Sequence, residues 1–226
     1  MDKYFIDKNP SNGKTISQLV NDIHNIYKPA NILFVRTYTT GDWLDKLLLN
    51  KNNVTRILYK TDKTTITKRS HRSTIIIDST DFENKLNTIN KKFDLICVDP
   101  FHEYEYSKNN LFLLSSFLSD TGILISHDCF PKNKMMASPK YFYGDWCGET
   151  YVAFVEFAYK NPTLYYGLLN TDTGIGIISK FQFDFLKNEL NIVKQQTLLS
   201  MHENNSDDIY EYFCENAEEI INTIND

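Results

Sequence analysis

The apolar positions of this chain follow two alternating rhythms. Between Thr15 and Tyr27, the residues Ile16, Leu19, Val20, Ile23 and Ile26 recur at three- and four-residue spacing, so they share one face of a helix that Pro29 stops. Asn31–Val35 follows as a short unbroken apolar run, the pattern of a strand buried on both faces. The alternation continues downstream. Val54–Tyr59 and Ser73–Asp78 read as strands, the second rich in β-branched residues, while Trp43–Leu49 and Phe82–Ile89 read as short helices. Phe93–Val98 is the clearest strand and runs out at Asp99. Tyr104–Leu118 predicts a helix with Leu111, Leu114 and Leu118 inward, and Asp120-Thr121-Gly122 predicts the turn that ends it, with glycine as the left-handed cap. Ile123–Ser126 is the next strand, ending at His127 and Asp128.

Strands alternating with helices across 15–128 predict a parallel sheet covered by helices on both faces, an α/β doubly wound architecture. The pattern then changes. Pro131–Trp146 is an irregular, aromatic loop, and Glu149–Tyr159 returns as a helix. Leu164–Leu169 and Gly176–Ile178 predict a hairpin closed by Asn170–Gly174, where Gly174 and Gly176 serve the turn. Asp208–Ile224 predicts a final helix with Tyr210, Phe213, Ala217, Ile220 and Ile221 on one face. Without a linker, repeat or low-complexity tract, residues 1–226 read as a single domain.

In such a sheet the ligand crevice lies beyond the C-terminal ends of the strands. Asp78, Asp99 and Asp128 each fall at or just past such an end. His102, three residues beyond Asp99, is expected over the crevice, where an imidazole can take a proton from a hydroxyl. Asp99 and Asp128 suit a hard cation such as Mg²⁺, whereas His127 beside them favours a transition metal. Each residue also has a plainer reading: a helix cap, a loop anchor or a packed imidazole.

Composition narrows the classes of partner. The net charge is −5 and only Lys60–Arg72 is locally basic, which argues against a nucleic-acid partner. Four cysteines without a CxxC pair disfavour a zinc cage and suit a reducing cytoplasm. The first residues carry no signal-like apolar core, and no apolar stretch approaches the roughly 20 residues that cross a membrane, so the expectation is a cytoplasmic chain with no membrane partner. Fifteen Phe and fourteen Tyr make the pocket rims aromatic; Tyr141, Phe142, Tyr143 and Trp146 could cover a substrate, and the same loop or the last helix could serve a homodimer.

Several segments carry a family resemblance. FDLICVDPFHEYE (93–105) and TGILISHDCFP (121–131) pair an Asp-His-Glu-Tyr strand end with a His-Asp strand end. Ser79–Phe82, Gly144–Gly148 with Thr150–Phe154, Asn170–Ile178 and Tyr210–Asn216 add to the match, which covers most of residues 73–226. Together they resemble a family of small S-adenosylmethionine-dependent O-methyltransferases found with glycan and secondary-metabolite genes. The resemblance implies a Rossmann-like, class I methyltransferase fold, mostly parallel with a C-terminal antiparallel hairpin. It implies methyl transfer from S-adenosylmethionine to a small polar acceptor, a saccharide or nucleotide-sugar, with His102 as general base. Asp99 and Asp128 would position the acceptor or a divalent metal, with His127 as a further ligand. Thr37, Gly41, Asp62, Asp78, Ser79 and Asp99 would border the cofactor. The departure is at the first strand. There the family's acid and two glycines fall at Phe34, Arg36 and Thr40, and Gly41 alone is kept. Two alternatives follow from it: a non-catalytic binding or scaffold protein, and an enzyme whose Arg36 pairs with the phosphate of another nucleotide-like ligand.

Overall fold

The computed structural model describes residues 15–37, 40, 43, 44, 47, 53–61 and 74–224. In chain order its elements are α1 (Ile16–Tyr27), β1 (Ile32–Thr37), β2 (Val54–Lys60), β3 (Thr74–Asp78), α2 (Phe82–Ile89), β4 (Phe93–Asp99), α3 (Tyr104–Ser116) and β5 (Leu118–Ser126). Then come α4 (Thr150–Lys160), β6 (Tyr165–Leu169), β7 (Ile175–Ser179), α5 (Ile192–Glu203), α6 (Ile209–Ile221) and the two-residue β8 (Thr223–Ile224). The strands form one sheet in the order β3-β2-β1-β4-β5-β7-β6-β8. From β3 to β5 the pairing is parallel, whereas β7 runs antiparallel to both β5 and β6. This is the doubly wound sheet with a C-terminal antiparallel hairpin that the sequence predicts.

The strand order places the crevice. The chain leaves β1 in one direction through β2 and β3, then returns to the other side of β1 as β4. The two connections diverge above the β1/β4 boundary, which opens a cleft at the C-terminal ends of those strands. Thr37 closes β1 and Asp99 closes β4, with Arg36 paired to Asp99.

Alternation along the strands divides the core. Leu33 and Val35 of β1 face α2, α3, α4 and α6 in one cluster with Leu86, Leu111, Phe157 and Phe213. Ile32 and Phe34 face the other way, onto Ile16, Leu19, Val20 and Ile23 of α1. Each such fully buried Ile or Leu contributes about 1.5–3 kcal/mol over an exposed one. Helix α1 is set by a capping box: the Thr15 hydroxyl accepts from Gln18 N at 3.4 Å, and Thr15 N donates to Gln18 Oε1 at 2.8 Å.

The sequence expectation fails at several places. Asp120-Thr121-Gly122 is not a helix-ending left-handed cap: it lies within β5, Leu118–Ser126, where the ladder slips from pairing Phe93 with Leu118 to pairing Leu95 with Ile123. Helix α3 stops at Ser116 and Leu118 belongs to the strand. Gly122 is needed for a different reason: a Cβ there would lie 2.8 Å from Leu118 Cδ1 and 2.9 Å from the Phe93 carbonyl oxygen. Gly176 likewise lies inside β7, where a Cβ would meet the Phe154 ring at 2.6 Å. The last helix ends at Ile221 with Asn222 left-handed, and the chain returns to the sheet as β8. Helix α5 has no counterpart in the periodicity, since its mixed faces bury only Gln195 and Leu198. Most of the expected Trp43–Leu49 helix lies outside the described residues.

Candidate active site

Four of the expected residues come together at the strand ends. His102 Nε2 lies 3.1 Å from Asp99 Oδ1 and 3.0 Å from Asp128 Oδ2. His127 Nδ1 lies 3.2 Å from Asp99 Oδ2 and 3.1 Å from Asp128 Oδ2. Two carboxylates and two imidazoles thus alternate around a closed ring, and Asp99, His102 and Asp128 are buried.

The partners fix the protons. His102 Nδ1 faces the Trp146 carbonyl at 2.5 Å while Nε2 faces carboxylates, so both nitrogens donate and the ring is an imidazolium. His127 is held the same way. Its Nδ1 donates to the carboxylates, and its Nε2 meets the Thr173 hydroxyl oxygen at 3.2 Å, whose own hydrogen goes to Asp128 Oδ1. Burial alone would drive both imidazoles toward neutrality. The facing Asp128 and Asp99 outweigh it, lifting His102 to about 10 and His127 well above its usual value. Burial would likewise raise the two carboxylic acids, but the histidines hold Asp99 and Asp128 below the usual range. The four charges cancel, which is how four ionisable groups tolerate one buried site.

Local backbone geometry aims these groups. After β5 the ladder continues for one residue, with His127 N donating to the Val98 carbonyl at 3.1 Å. Asp128 then adopts a left-handed φ of 60°, which a short polar side chain tolerates. Cys129 N and Phe130 N donate to the Gly174 and Thr173 carbonyls at 3.0 and 2.9 Å, strapping the segment to the β6–β7 hairpin. Gly174, at φ 87°, is the tight point: a Cβ would lie 2.1 Å from Phe130 N. From the other side, Glu149 N donates to the His102 carbonyl at 2.8 Å, and Cys147 N and Gly148 N donate to the Met136 carbonyl at 3.0 and 2.9 Å. The Trp146 indole packs on His102 and Phe101, with ring centroids 5.3 and 5.4 Å away. Trp146 is therefore a buried support for His102.

Further side chains of the site were not singled out from sequence. Trp43 Nε1 donates to Asp99 Oδ2 at 2.6 Å, and Cys147 Sγ donates to Asp128 Oδ1 at 3.5 Å. Thr40 Oγ1 donates to the Asp99 carbonyl at 2.8 Å and is 2.8 Å from Thr37 Oγ1, which brings the end of β1 to the site. Asp172 Oδ2 lies 3.6 Å from His127 Nε2 and accepts from Ile16 N at 3.1 Å, linking the hairpin to the start of α1. In sequence Asp172 and Thr173 are indistinguishable from ordinary turn residues.

The remaining expected cofactor residues are spread out or undescribed. Asp78 ends β3, three strands from β4 in the sheet order, or about 14 Å at ~4.8 Å per strand. Ser79 follows it and opens a single 3₁₀ turn. A ligand must lie across the ends of β2 and β1 to reach both Asp78 and Asp99. Gly41 and Asp62 lie outside the described residues. Arg36 is buried, and its Nη1 donates to the Thr37 carbonyl at 2.8 Å.

Donor atoms of Asp99, His102 and Asp128 lie within 4.8 Å of one another. Two carboxylate oxygens and one imidazole nitrogen form a mixed set that fits a divalent ion of Mn²⁺ type better than the all-oxygen shell Mg²⁺ prefers. His127 addresses the same carboxylates through Nδ1 from its own side.

Solved structures share this architecture. A Staphylococcus aureus protein provisionally assigned as a caffeoyl-CoA O-methyltransferase superposes with a TM-score of 0.51 at 17% identity, over 78% of this chain and 88% of that one. The SAH-bound methyltransferase PaMTH1 of Podospora anserina gives a TM-score of 0.46 at 16% identity, over 80% of this chain and 86% of that one. No family model and no curated protein sequence matches the chain. The eight-stranded sheet, parallel with a terminal antiparallel hairpin, is the class I methyltransferase fold. At this identity the likeness establishes the fold alone. Among the described residues no helix is long and apolar enough to cross a membrane.

Proposed function

We propose that this chain is an S-adenosylmethionine-dependent O-methyltransferase acting on a small polar acceptor, in the class of a saccharide or nucleotide-sugar. The observation that carries the reading is the buried Asp99–His102–Asp128–His127 ring, set beside the β1/β4 cleft of a methyltransferase fold. The O-methyltransferase assignment of the Staphylococcus aureus neighbour supports it. The acceptor class rests on the sequence resemblance.

The residues present divide the work. S-adenosylmethionine, when bound, supplies a methyl group on a cationic sulfur. Thr37, Thr40 and Asp99 border the cleft where it would lie, and Asp78 and Ser79 its outer end. Asp99, His102 and Asp128 would hold a divalent cation, which would fix and acidify an acceptor hydroxyl. Nε2 of His102 cannot hold a cation and take a proton at once, so it would be the base only in the cation-free cluster, after its own Nε2 proton has left; with the cation held there, the acidified hydroxyl would lose its proton to another acceptor. Trp146 and Glu149 keep the imidazole in place, so the barrier is lowered chiefly by positioning.

Calorimetric titration with S-adenosylmethionine and its demethylated product, with and without Mn²⁺, tests the proposal. Dissociation constants of about micromolar order are expected. Absence of heat at about 1 mM ligand would overturn it and leave a non-catalytic scaffold as the reading.

A further inference from the structure

The charged ring has an outer contact that joins it to α1. Asp172, in the tip of the β6–β7 hairpin, presents one carboxylate oxygen to two groups from distant parts of the chain. Its Oδ2 lies 3.6 Å from His127 Nε2 and accepts from Ile16 N at 3.1 Å. The facing imidazolium holds the Asp172 carboxyl below its usual range against the pull of burial, and the Ile16 amide acts in the same direction.

The backbone sets this side chain in place. Asp172 has a left-handed φ of 56°, which Asp and Asn tolerate and most residues avoid. The tip is closed by Gly174 N donating to the Thr171 carbonyl at 2.9 Å, and Phe130 N straps it to the end of β5 through the Thr173 carbonyl at 2.9 Å. The shared oxygen is therefore fixed on both sides of the hairpin.

Each partner gains from the charge. Helix α1 starts at Ile16 and has no acidic residue in its own first turn, so the positive end of its dipole meets a carboxylate supplied by the hairpin. His127 is gripped at both edges of its ring. Nδ1 faces Asp99 and Asp128, while Nε2 faces Thr173 Oγ1 and Asp172. Helix α1 also packs Ile16, Leu19, Val20 and Ile23 onto Ile32 and Phe34 of β1. One carboxylate thus connects a helix seated on β1 with the ring beyond β4 and β5.

We infer that Asp172 is a positioning residue of the site, holding His127 against Asp99 and Asp128 and tying that hold to the docking of α1. A displaced first turn of α1 moves the shared oxygen, His127 follows, and the two strand-end carboxylates lose their alignment. The inference deepens the proposed function, and its consequence for a bound cation rests on that reading.

Two substitutions at Ile16, made in the whole chain, separate the bond from the side chain. Ile16→Pro and Ile16→Ala both remove the isoleucine, but only proline removes the donor N–H. Ile16 is the first helical residue and Thr15 before it is extended, at φ −70° and ψ 159°, so proline fits the backbone. NMR of the His127 ring, without metal or cofactor, should show signals displaced in Ile16→Pro well beyond those of Ile16→Ala. Asp172→Asn keeps the left-handed backbone and an acceptor for Ile16 but deletes the charge, and it should displace the same signals. Calorimetry with Mn²⁺ should show affinity weakened about tenfold in Asp172→Asn. The loss should be about threefold or more in Ile16→Pro, and the double variant should lose no more than Asp172→Asn alone. A parent chain that takes up no Mn²⁺ would overturn the cation reading of the ring. His127 signals unmoved in Asp172→Asn, or moved alike by both Ile16 substitutions, would overturn the role of Asp172. Unchanged Mn²⁺ affinity in Asp172→Asn beside a parent chain that binds the ion, or additive losses in the double variant, would overturn it as well.

Discussion

Gly148 is the position at which a single added carbon should do the most damage to the site. Its φ is 55°, and a Cβ would lie 2.2 Å from the His102 carbonyl oxygen and 2.9 Å from its carbonyl carbon. Two penalties add in Gly148→Ala. Left-handed backbone costs an alanine about 1–2 kcal/mol. The contact can be relieved only by moving the loop from His102 by roughly 1 Å, because the obstacle is backbone and cannot rotate away. That displacement stretches the 2.8 Å bond from Glu149 N to the His102 carbonyl and the 2.5 Å bond from His102 Nδ1 to Trp146. Losing the second, a charged donor to a carbonyl, costs about 1.5–3 kcal/mol. The sum is about 3–5 kcal/mol, or roughly 6–20 °C in Tm for a chain of this size. Gly144→Ala is the control: its φ is 132°, yet its Cβ would meet nothing nearer than Phe142 at 3.8 Å. Denaturant unfolding of both variants decides the matter. If Gly148→Ala loses no more stability than Gly144→Ala, the loop does not bear on His102 as described.

Three further outcomes are expected. Mn²⁺ should raise Tm by roughly 5–11 °C at about 100 times its dissociation constant, from ~2.7 kcal/mol of linkage, and Asp128→Asn should abolish the shift; an unchanged Tm in the parent chain would remove the metal reading. Trp43→Phe keeps the ring contact with His127 but deletes the 2.6 Å indole bond to Asp99, so urea unfolding should show a loss of about 1.5–3 kcal/mol, and a loss under ~0.5 kcal/mol would contradict an anchored Asp99. Glu156 is the pH-sensitive group outside the site: burial would raise its carboxyl, but Lys160, Tyr104 and Lys108 hold it below 4.5. Its contribution is therefore present above that value and lost as pH falls below it, so Glu156→Gln should flatten the stability profile between about pH 5 and pH 3, and an unaltered slope would refute the assignment.

The sequence exposes those parts of the molecule that repeat a local rule. Ile16 to Ile26 and the run Phe93–Val98 each show one period, and each becomes the expected element. Gly122 misleads because glycine signals both a left-handed turn and a close approach, and only the distance to Leu118 and Phe93 tells them apart. Helix α5 is hidden for a related reason: packing between α4 and α6 asks it to bury little more than Gln195 and Leu198. In the site, Asp99, His102 and Asp128 are legible because strand ends aim side chains into a cleft. Thr173 and Trp43 are not, since their roles depend on a hairpin 45 residues and a segment 56 residues away from their carboxylate partners.

The supports of the ring account for why the first strand can depart from the family pattern while the charged site stays closed. Asp99 is held by Trp43, Asp128 by Thr173 and Cys147, and His102 by Trp146. Gly174 and Gly148 allow the close approaches that bring the hairpin and the loop onto it. Trp43 comes from the segment after β1, while the other supports lie on the β4, β5 and hairpin side of the cleft, where the sequence resemblance is densest. The family's cofactor glycines would lie on the β1 side, where Arg36 instead turns its guanidinium onto the Thr37 carbonyl. The two sides are therefore separable by experiment. A chain that takes up Mn²⁺ but gives no heat with S-adenosylmethionine would have kept the ring and lost the cofactor edge. A chain that binds both would show that this cleft tolerates an arginine where the family its sequence resembles places glycine.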